Sequence, residues 1–178
     1  MTTTKQVIMT AEDITLALQR IVLQILERNH DAERLAVVGI HTCGVFLAKR
    51  LVVLMQNMGG TNVDFGTLDI TLYRDDWSLV SQNPVVKTTD IGFAVENTKL
   101  ILVDDVIFSG RTIRAAMDAI IDYGRPDAIQ LAALVDRGGR ELPIQPDYTG
   151  LVTSVRPHER IRVAMQEKDT ADEVVIES

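Results

Sequence analysis

Apolar residues recur along this chain in two rhythms. Between 11 and 28, Ile14, Leu18, Ile21, Val22, Ile25 and Leu26 fall three and four positions apart, which predicts an amphipathic helix. Thr10 stands at the N-cap position with Asp13 as a capping-box partner, and Asn29-His30-Asp31 ends the segment. Leu35-Ala-Val-Val-Gly-Ile40 is a continuous apolar run of strand length. It leads through His41-Thr-Cys-Gly44 into a second helix over about 44–57, with Val45, Ala48, Leu51, Val52 and Met55 on one face and Gly59-Gly60 as terminator. Val63 and Phe65, then Leu68, Ile70 and Leu72, alternate with polar residues, as in a half-exposed strand. The polar stretch from Asp75 to Thr89, with Pro84 inside it, lacks periodicity; a loop of that length reads as a lid or a hairpin excursion.

The second half repeats the strand–loop–helix rhythm. Leu100 to Val103 is a buried-strand run, and Ile113, Ala116, Met117, Ile120 and Ile121 mark one face of a helix. Gly124 and Pro126 close that helix, and Ile129 to Val135 is another buried strand. Thr149 to Val155 and Arg160 to Gln166 read as late strands, and the acidic tail from Glu167 is weakly patterned apart from Val174-Val-Ile176. Strands alternating with helices predict an α/β fold: a mainly parallel twisted sheet flanked by helices, in one domain over 1–178. The loops at 41–44, 73–89, 104–112 and 136–140 each follow a strand, so they should converge on one rim, where such sheets bind ligands.

One of these loops carries distinctive chemistry. Leu100-Ile-Leu-Val103 ends in Asp104 and Asp105; Val106-Ile-Phe108, Ser109, Gly110, Arg111 and Thr112 then lead into the helix. A small, hydroxyl-bearing loop before a helix N-terminus is an anion site, because the first N–H groups are unpaired and the dipole favours negative charge. Two carboxylates beside it would repel a bare phosphate. They suit a ligand that also carries hydroxyls or Mg²⁺, and metal binding, acid/base work and hydrogen bonding to ligand hydroxyls are all open readings. Neighbouring strand residues point to opposite faces, so a shared ion held directly by both is disfavoured.

Composition narrows the setting. With 178 residues, 46% of them hydrophobic, the chain can bury a substantial core. It has no apolar run long enough to cross a bilayer and no signal-peptide layout at Met1-Thr-Thr-Thr-Lys-Gln, so a cytoplasmic protein without membrane contact is expected. The single cysteine, Cys43, excludes an internal disulfide. A net charge of −7 argues against nucleic-acid binding by bulk charge but leaves room for a local basic patch. His41, His158 and Trp77 have no spacing that supports a metal or stacking role.

Val103-Asp-Asp-Val-Ile-Phe-Ser-Gly-Arg-Thr112 resembles the motif that binds 5-phosphoribosyl-1-diphosphate (PRPP) in type I phosphoribosyltransferases. Asp69 to Asp76, Gly124-Arg-Pro126, Ile129-Gln-Leu-Ala132, Leu134 to Gly138 and Arg140 to Ile144 resemble the PyrR family of pyrimidine-operon attenuators, which are also uracil phosphoribosyltransferases. The resemblance runs from about Ile14 to Val163. It implies the type I fold with a small hood and a β-hairpin lid. It also implies Mg²⁺-dependent conversion of PRPP and uracil to UMP and diphosphate, with the metal held by PRPP and water and no direct protein ligand. Asp104 and Asp105 would take the ribose hydroxyls, the loop from Ser109 to Thr112 the 5′-phosphate, and Thr42, Cys43 and Gly44 the diphosphate. Tyr73 and Arg74 would belong to the catalytic lid, and Asp136 and Arg137 to base or nucleotide recognition.

The same resemblance implies binding of pyrimidine-operon leader mRNA in response to UMP or UTP, and a homodimer or higher homo-oligomer. Arg20 and Arg140 are the candidate RNA contacts; other positions of that basic face read Gly139, Gln145 and Leu151. The family's diphosphate loop usually reads Thr-Arg-Gly, so Cys43 stands where a cation is common, which predicts weakened PRPP binding or turnover. Two alternatives follow: a nucleotide-sensing RNA-binding regulator with weak or no transferase activity, and a purine-type phosphoribosyltransferase.

Overall fold

The computed structural model describes residues 5–60, 62–76 and 86–178. The chain forms β1 (Lys5–Met9), α1 (Ala11–Arg28), β2 (Leu35–Ile40), α2 (Cys43–Gly59), β3 (Asp64–Leu68), β4 (Lys99–Ile107), α3 (Arg111–Ile121), β5 (Ala128–Asp136), β6 (Tyr148–Val152), β7 (Arg160–Ala164) and β8 (Glu173–Glu177). Five strands build a sheet in the order β3-β2-β4-β5-β6, and every neighbouring pair is parallel.

The predicted helices form for the predicted reasons. Thr10 and Asp13 make the reciprocal capping box, with the Thr10 N–H donating to Asp13 at 2.8 Å. Gly60, at φ 59°, gives α2 a left-handed C-cap. The two faces of the sheet bury separate clusters. Ile101 and Val103 pack with Ile14, Ile21, Leu47, Leu51 and Met55 of α1 and α2. Leu100 and Leu102 pack with Ile113, Ala116 and Ile120 of α3. Because β4 is buried on both faces, it reads as a continuous apolar run. Asn29, Gln130 and Tyr148 form a buried network that ties α1 to β5 and β6, with two of the Asn29–Gln130 bonds at 2.9 Å.

Several boundaries differ from the expectation. The half-exposed strand ends at Leu68, and Ile70 to Tyr73 form a turn closed by Tyr73 N–H to the Ile70 carbonyl at 2.9 Å. The strand before the carboxylates continues through both of them to Ile107. The expected strand at 149–155 stops at Val152 and belongs to the main sheet. The hood is a second sheet, β1-β8-β7, antiparallel throughout and made from the two chain ends. The first of its strands gave no pattern, since Lys5 to Val7 are exposed and only Met9 is fully buried. The tip of the expected hairpin lid, with Trp77 and Pro84, lies outside the described residues.

Candidate active site

The C-terminal ends of β2, β4 and β5 lie side by side, so their following loops share one rim. Asp104 and Asp105 sit there at the end of β4, where regular alternation would part them, yet their carboxyl groups are neighbours. Asp104 is 7% exposed and lines a cleft of about 240 Å³ with Arg74, Ser109, Gly110, Arg111 and Thr112. Its carboxylate accepts the Asp105 N–H at 3.0 Å, and among the described residues no cation pairs with it. Burial, and then the charge of Asp105, hold its carboxyl well above the ordinary carboxylate range. Asp105 accepts the Val106 N–H at 2.9 Å and also lies against the Cys43 thiol.

The loop after the carboxylates is clamped from behind. The Ser109 carbonyl accepts the N–H groups of Glu141 and Leu142 at 2.9 and 3.1 Å. Gly110 takes φ 91°, where an L side chain is strained, and opens α3 without any side-chain cap. The Arg111 N–H donates to the Ser109 hydroxyl at 3.3 Å, and the N–H groups that follow in the first turn of α3 can face a ligand.

The arginines around this cleft are already paired. Arg74 holds Asp76 through two hydrogen bonds of 2.8 Å. Arg111 reaches Asp75 and Glu141, each at 2.6 Å. Tyr73 does not line the cleft: its hydroxyl donates to Asp122 at 2.5 Å, and its carbonyl accepts from Arg114 at 3.1 Å. Tyr73 thus fastens the lid root to α3, and the hydrogen bond to Asp122 raises its phenol pKa.

On the other side of β4, Thr42, Cys43 and Gly44 form the start of α2. The His41–Thr42 peptide is cis. A Cβ at Gly44 would stand 2.4 Å from the Val103 carbonyl oxygen, so this loop rests directly on β4. Desolvation, then the charge of Asp105, push the Cys43 thiol up to about 11, which keeps it neutral and a poor nucleophile. Lys87 arrives from the far end of the lid and donates to the Thr42 hydroxyl. His41 Nε2 meets the Thr88 carbonyl at 3.0 Å. Asp69 accepts the Lys87 N–H and the Thr71 N–H, the latter at 2.9 Å. Burial acts to raise the Asp69 pKa, but those hydrogen bonds outweigh it and lower it. Apart from the local Asp69–Thr71 bond, the residue spacing showed none of these contacts, because they join segments that the β2–β3 pairing and the antiparallel bridge of Thr67 with Asp90 bring together.

A third region follows β5. Asp136, Arg137, Gln145 and Thr153 line a wider depression of about 580 Å³. The Arg137 guanidinium stacks 4.0 Å from the Phe108 ring centre, and Phe108 is 45% exposed. The buried Arg137 Nε has no partner among the described residues.

The two candidate RNA contacts differ. Arg20 is exposed on α1 and donates to the Gly150 carbonyl at 2.5 Å. Arg140 is spent inside the molecule: it bonds Asp136 at 2.7 Å and the carbonyls of Ile144 and Phe108 at 2.7 and 2.9 Å.

Among the described residues, no three His, Cys, Asp or Glu side chains are grouped to hold a metal. A buried, uncompensated carboxylate beside an anion cradle still fits a ligand that brings both hydroxyls and its own cation.

A parallel sheet whose central strand ends in paired carboxylates and a glycine-opened helix defines a type I phosphoribosyltransferase, and the phosphoribosyl transferase domain model matches residues 8–168. The chain is 52% identical over 172 residues to the bifunctional protein PyrR of Syntrophobacter fumaroxidans, covering 97% of this chain and 92% of that one. It is 49% identical to the bifunctional protein PyrR of Deinococcus radiodurans, covering 97% and 94%, and 49% identical to that of Bacillus cereus strain AH820, covering 97% of each. The chain belongs to the PyrR family. Among solved structures, the hypoxanthine phosphoribosyltransferase of Trypanosoma cruzi is similar with a TM-score of 0.72, covering 96% and 95% of the chains at 14% identity. That likeness shows the fold alone, and the PyrR relatives do not favour the purine-type alternative or a regulator without transferase activity.

Proposed function

We propose that the chain, acting as one domain over 1–178, is a Mg²⁺-dependent uracil phosphoribosyltransferase. We assign it a second role as a regulator of pyrimidine genes, through leader-mRNA binding in response to UMP or UTP. The observation that carries the transferase reading is Asp104: a buried carboxylate with no cation partner among the described residues, at the edge of a cleft that ends in the glycine-opened start of α3. An acceptor of that kind suits a sugar diol beside a phosphate, and a carboxylate is a strong acceptor for hydroxyl donors.

The chain's own groups divide the ligand. The N–H groups and hydroxyls from Ser109 to Thr112 hold the 5′-phosphate. Asp104 and Asp105, whose carboxyl groups are neighbours at the end of β4, take the ribose hydroxyls together. The loop from Thr42 to Gly44 receives the diphosphate. The base lies toward Asp136 and Arg137, where backbone groups can read the neutral edge of uracil. The uracil N1–C1′ bond forms as the C1′–O bond to diphosphate breaks, and N1 loses its proton. Bound through PRPP and water, Mg²⁺ supplies charge neutralisation at the diphosphate. Arg74 lies at the lid root, where release from Asp76 would add positive charge over the site.

For the regulatory role, exposed Arg20 on α1 is the better-placed phosphate contact, while Arg140 braces the loop after β5 through Asp136. A cytoplasmic homodimer or higher homo-oligomer completes the reading. Initial rates of UMP formation from uracil, PRPP and Mg²⁺ test the transferase role; no UMP at any PRPP concentration would overturn it. Retardation of a pyrimidine-leader RNA, tightened by UMP, tests the regulatory role; identical binding with and without UMP would remove nucleotide sensing.

A further inference from the structure

The diphosphate side of the rim poses a charge problem. Thr42, Cys43 and Gly44 carry no cation of their own, and the Cys43 thiol lies against the Asp105 carboxylate. A ligand group of several negative charges needs positive charge within hydrogen-bond reach. Most arginines of the rim are neutralised: Arg74 by Asp76, Arg111 by Asp75 and Glu141, Arg114 by Asp118, and Arg140 by Asp136. Lys87 differs. Its ammonium donates to the hydroxyl of Thr42, on the loop itself, and among the described residues it meets no carboxylate.

The backbone at Lys87 is fixed before any ligand arrives. Its N–H is held by Asp69, whose other bonds come from Thr71, and the next residue's carbonyl is held by His41. Two residues further on, the Thr89 hydroxyl accepts the Asp69 N–H at 3.0 Å. The cation is thus delivered from a pinned stem, across 45 residues of sequence from Thr42. Thr42 itself does not cap α2 with its side chain, so its hydroxyl is occupied by the lysine alone among the described residues.

We propose that Lys87 is the donor-binding cation of the Thr42–Gly44 loop, moving from the Thr42 hydroxyl to the diphosphate when PRPP binds, with Asp69 as its positioning residue. This rests on the transferase reading, but it makes a separate claim. UMP has no diphosphate, so Lys87 should matter to PRPP and inorganic diphosphate and not to UMP.

Calorimetric binding of inorganic diphosphate with Mg²⁺, and of UMP, to wild type, Lys87→Met and Lys87→Arg protein tests it without requiring turnover. Lys87→Met should weaken diphosphate binding by about 10-fold or more, leave UMP within about twofold, and raise the KM for PRPP more than it lowers kcat. Lys87→Arg should retain most of the affinity. Adding Cys43→Arg should help wild type little but restore much of the loss in Lys87→Met, since either cation then faces the same phosphates. Unchanged diphosphate binding in Lys87→Met would overturn the proposal, and so would equal loss of diphosphate and UMP binding. Absence of UMP formation by wild type would instead count against the transferase reading, while the diphosphate comparison would still decide the role of Lys87.

Discussion

The two sides of β4 are built in opposite ways. On one side, Asp104, the loop from Ser109 to Thr112 and the start of α3 are continuous in sequence, and their anion site comes from the backbone of that loop and the first turn of α3. On the other, Lys87 reaches Thr42 while His41 holds Thr88 and Asp69 holds the Lys87 N–H, so three segments meet and charge comes from a side chain. A helix terminus cannot be lost by one substitution, whereas a single cation can move along the chain. The position at Cys43 can therefore lack a charge if another segment supplies it.

The comparison breaks first at Asp104. Asp104→Asn should lower UMP formation by about 100-fold or more, because one of the two charged acceptors for the ribose hydroxyls is lost. The same variant should melt higher than wild type at pH 8 without ligand. The Asp104 pKa is raised on folding, so its contribution to stability is full below its unfolded value near 3.8 and is lost as pH rises through the folded value. The asparagine carries no such loss, so the gap between the two proteins in ligand-free thermal unfolding should close toward acid pH.

Gly44→Ala tests the contact between the two sides. A methyl group 2.4 Å from the Val103 carbonyl must push the loop off β4, at a cost of about 1–3 kcal/mol in chemical unfolding and with a matching loss of PRPP affinity. Arg140→Ala should destabilise by about 1–2 kcal/mol, since it strips Asp136, which is 14% exposed, of its partner. If the denaturation midpoint is unchanged while RNA binding collapses, Arg140 is an RNA contact and not a brace. Smallest is Arg20→Ala: unfolding should be unaltered, and the salt dependence of leader-RNA binding should fall by about one counterion.

What the sequence disclosed follows the same division. The helices, the buried strands and the motif from Val103 to Thr112 were legible because their information is local: a period, a cap, a glycine before a helix. Asp104 and Asp105 were recognisable as a pair, but nothing local showed that β4 continues through them to Ile107 or that their carboxyl groups stay together. The hood was expected from the family resemblance, but its first strand was not legible, because β1 is mostly exposed and pairs with β8 at the other end of the chain. Lys87 looked like one charge in a polar loop; only pairing of Thr67 with Asp90 at the lid root brings it to Thr42. Arg140 was read as a surface cation, since nothing in Arg-Glu-Leu-Pro-Ile shows that its guanidinium turns back to Asp136 and Ile144.

The central claim is that this rim transfers phosphoribose to uracil. It is tested most directly by offering wild-type protein PRPP and Mg²⁺ with uracil, adenine, guanine, hypoxanthine and orotate together and identifying the nucleotides formed. The account predicts UMP as the product, formed from uracil and in step with diphosphate release. Inosine, guanosine or adenosine monophosphate in its place would contradict it, and would mean that the likeness to hypoxanthine phosphoribosyltransferases extends beyond the fold.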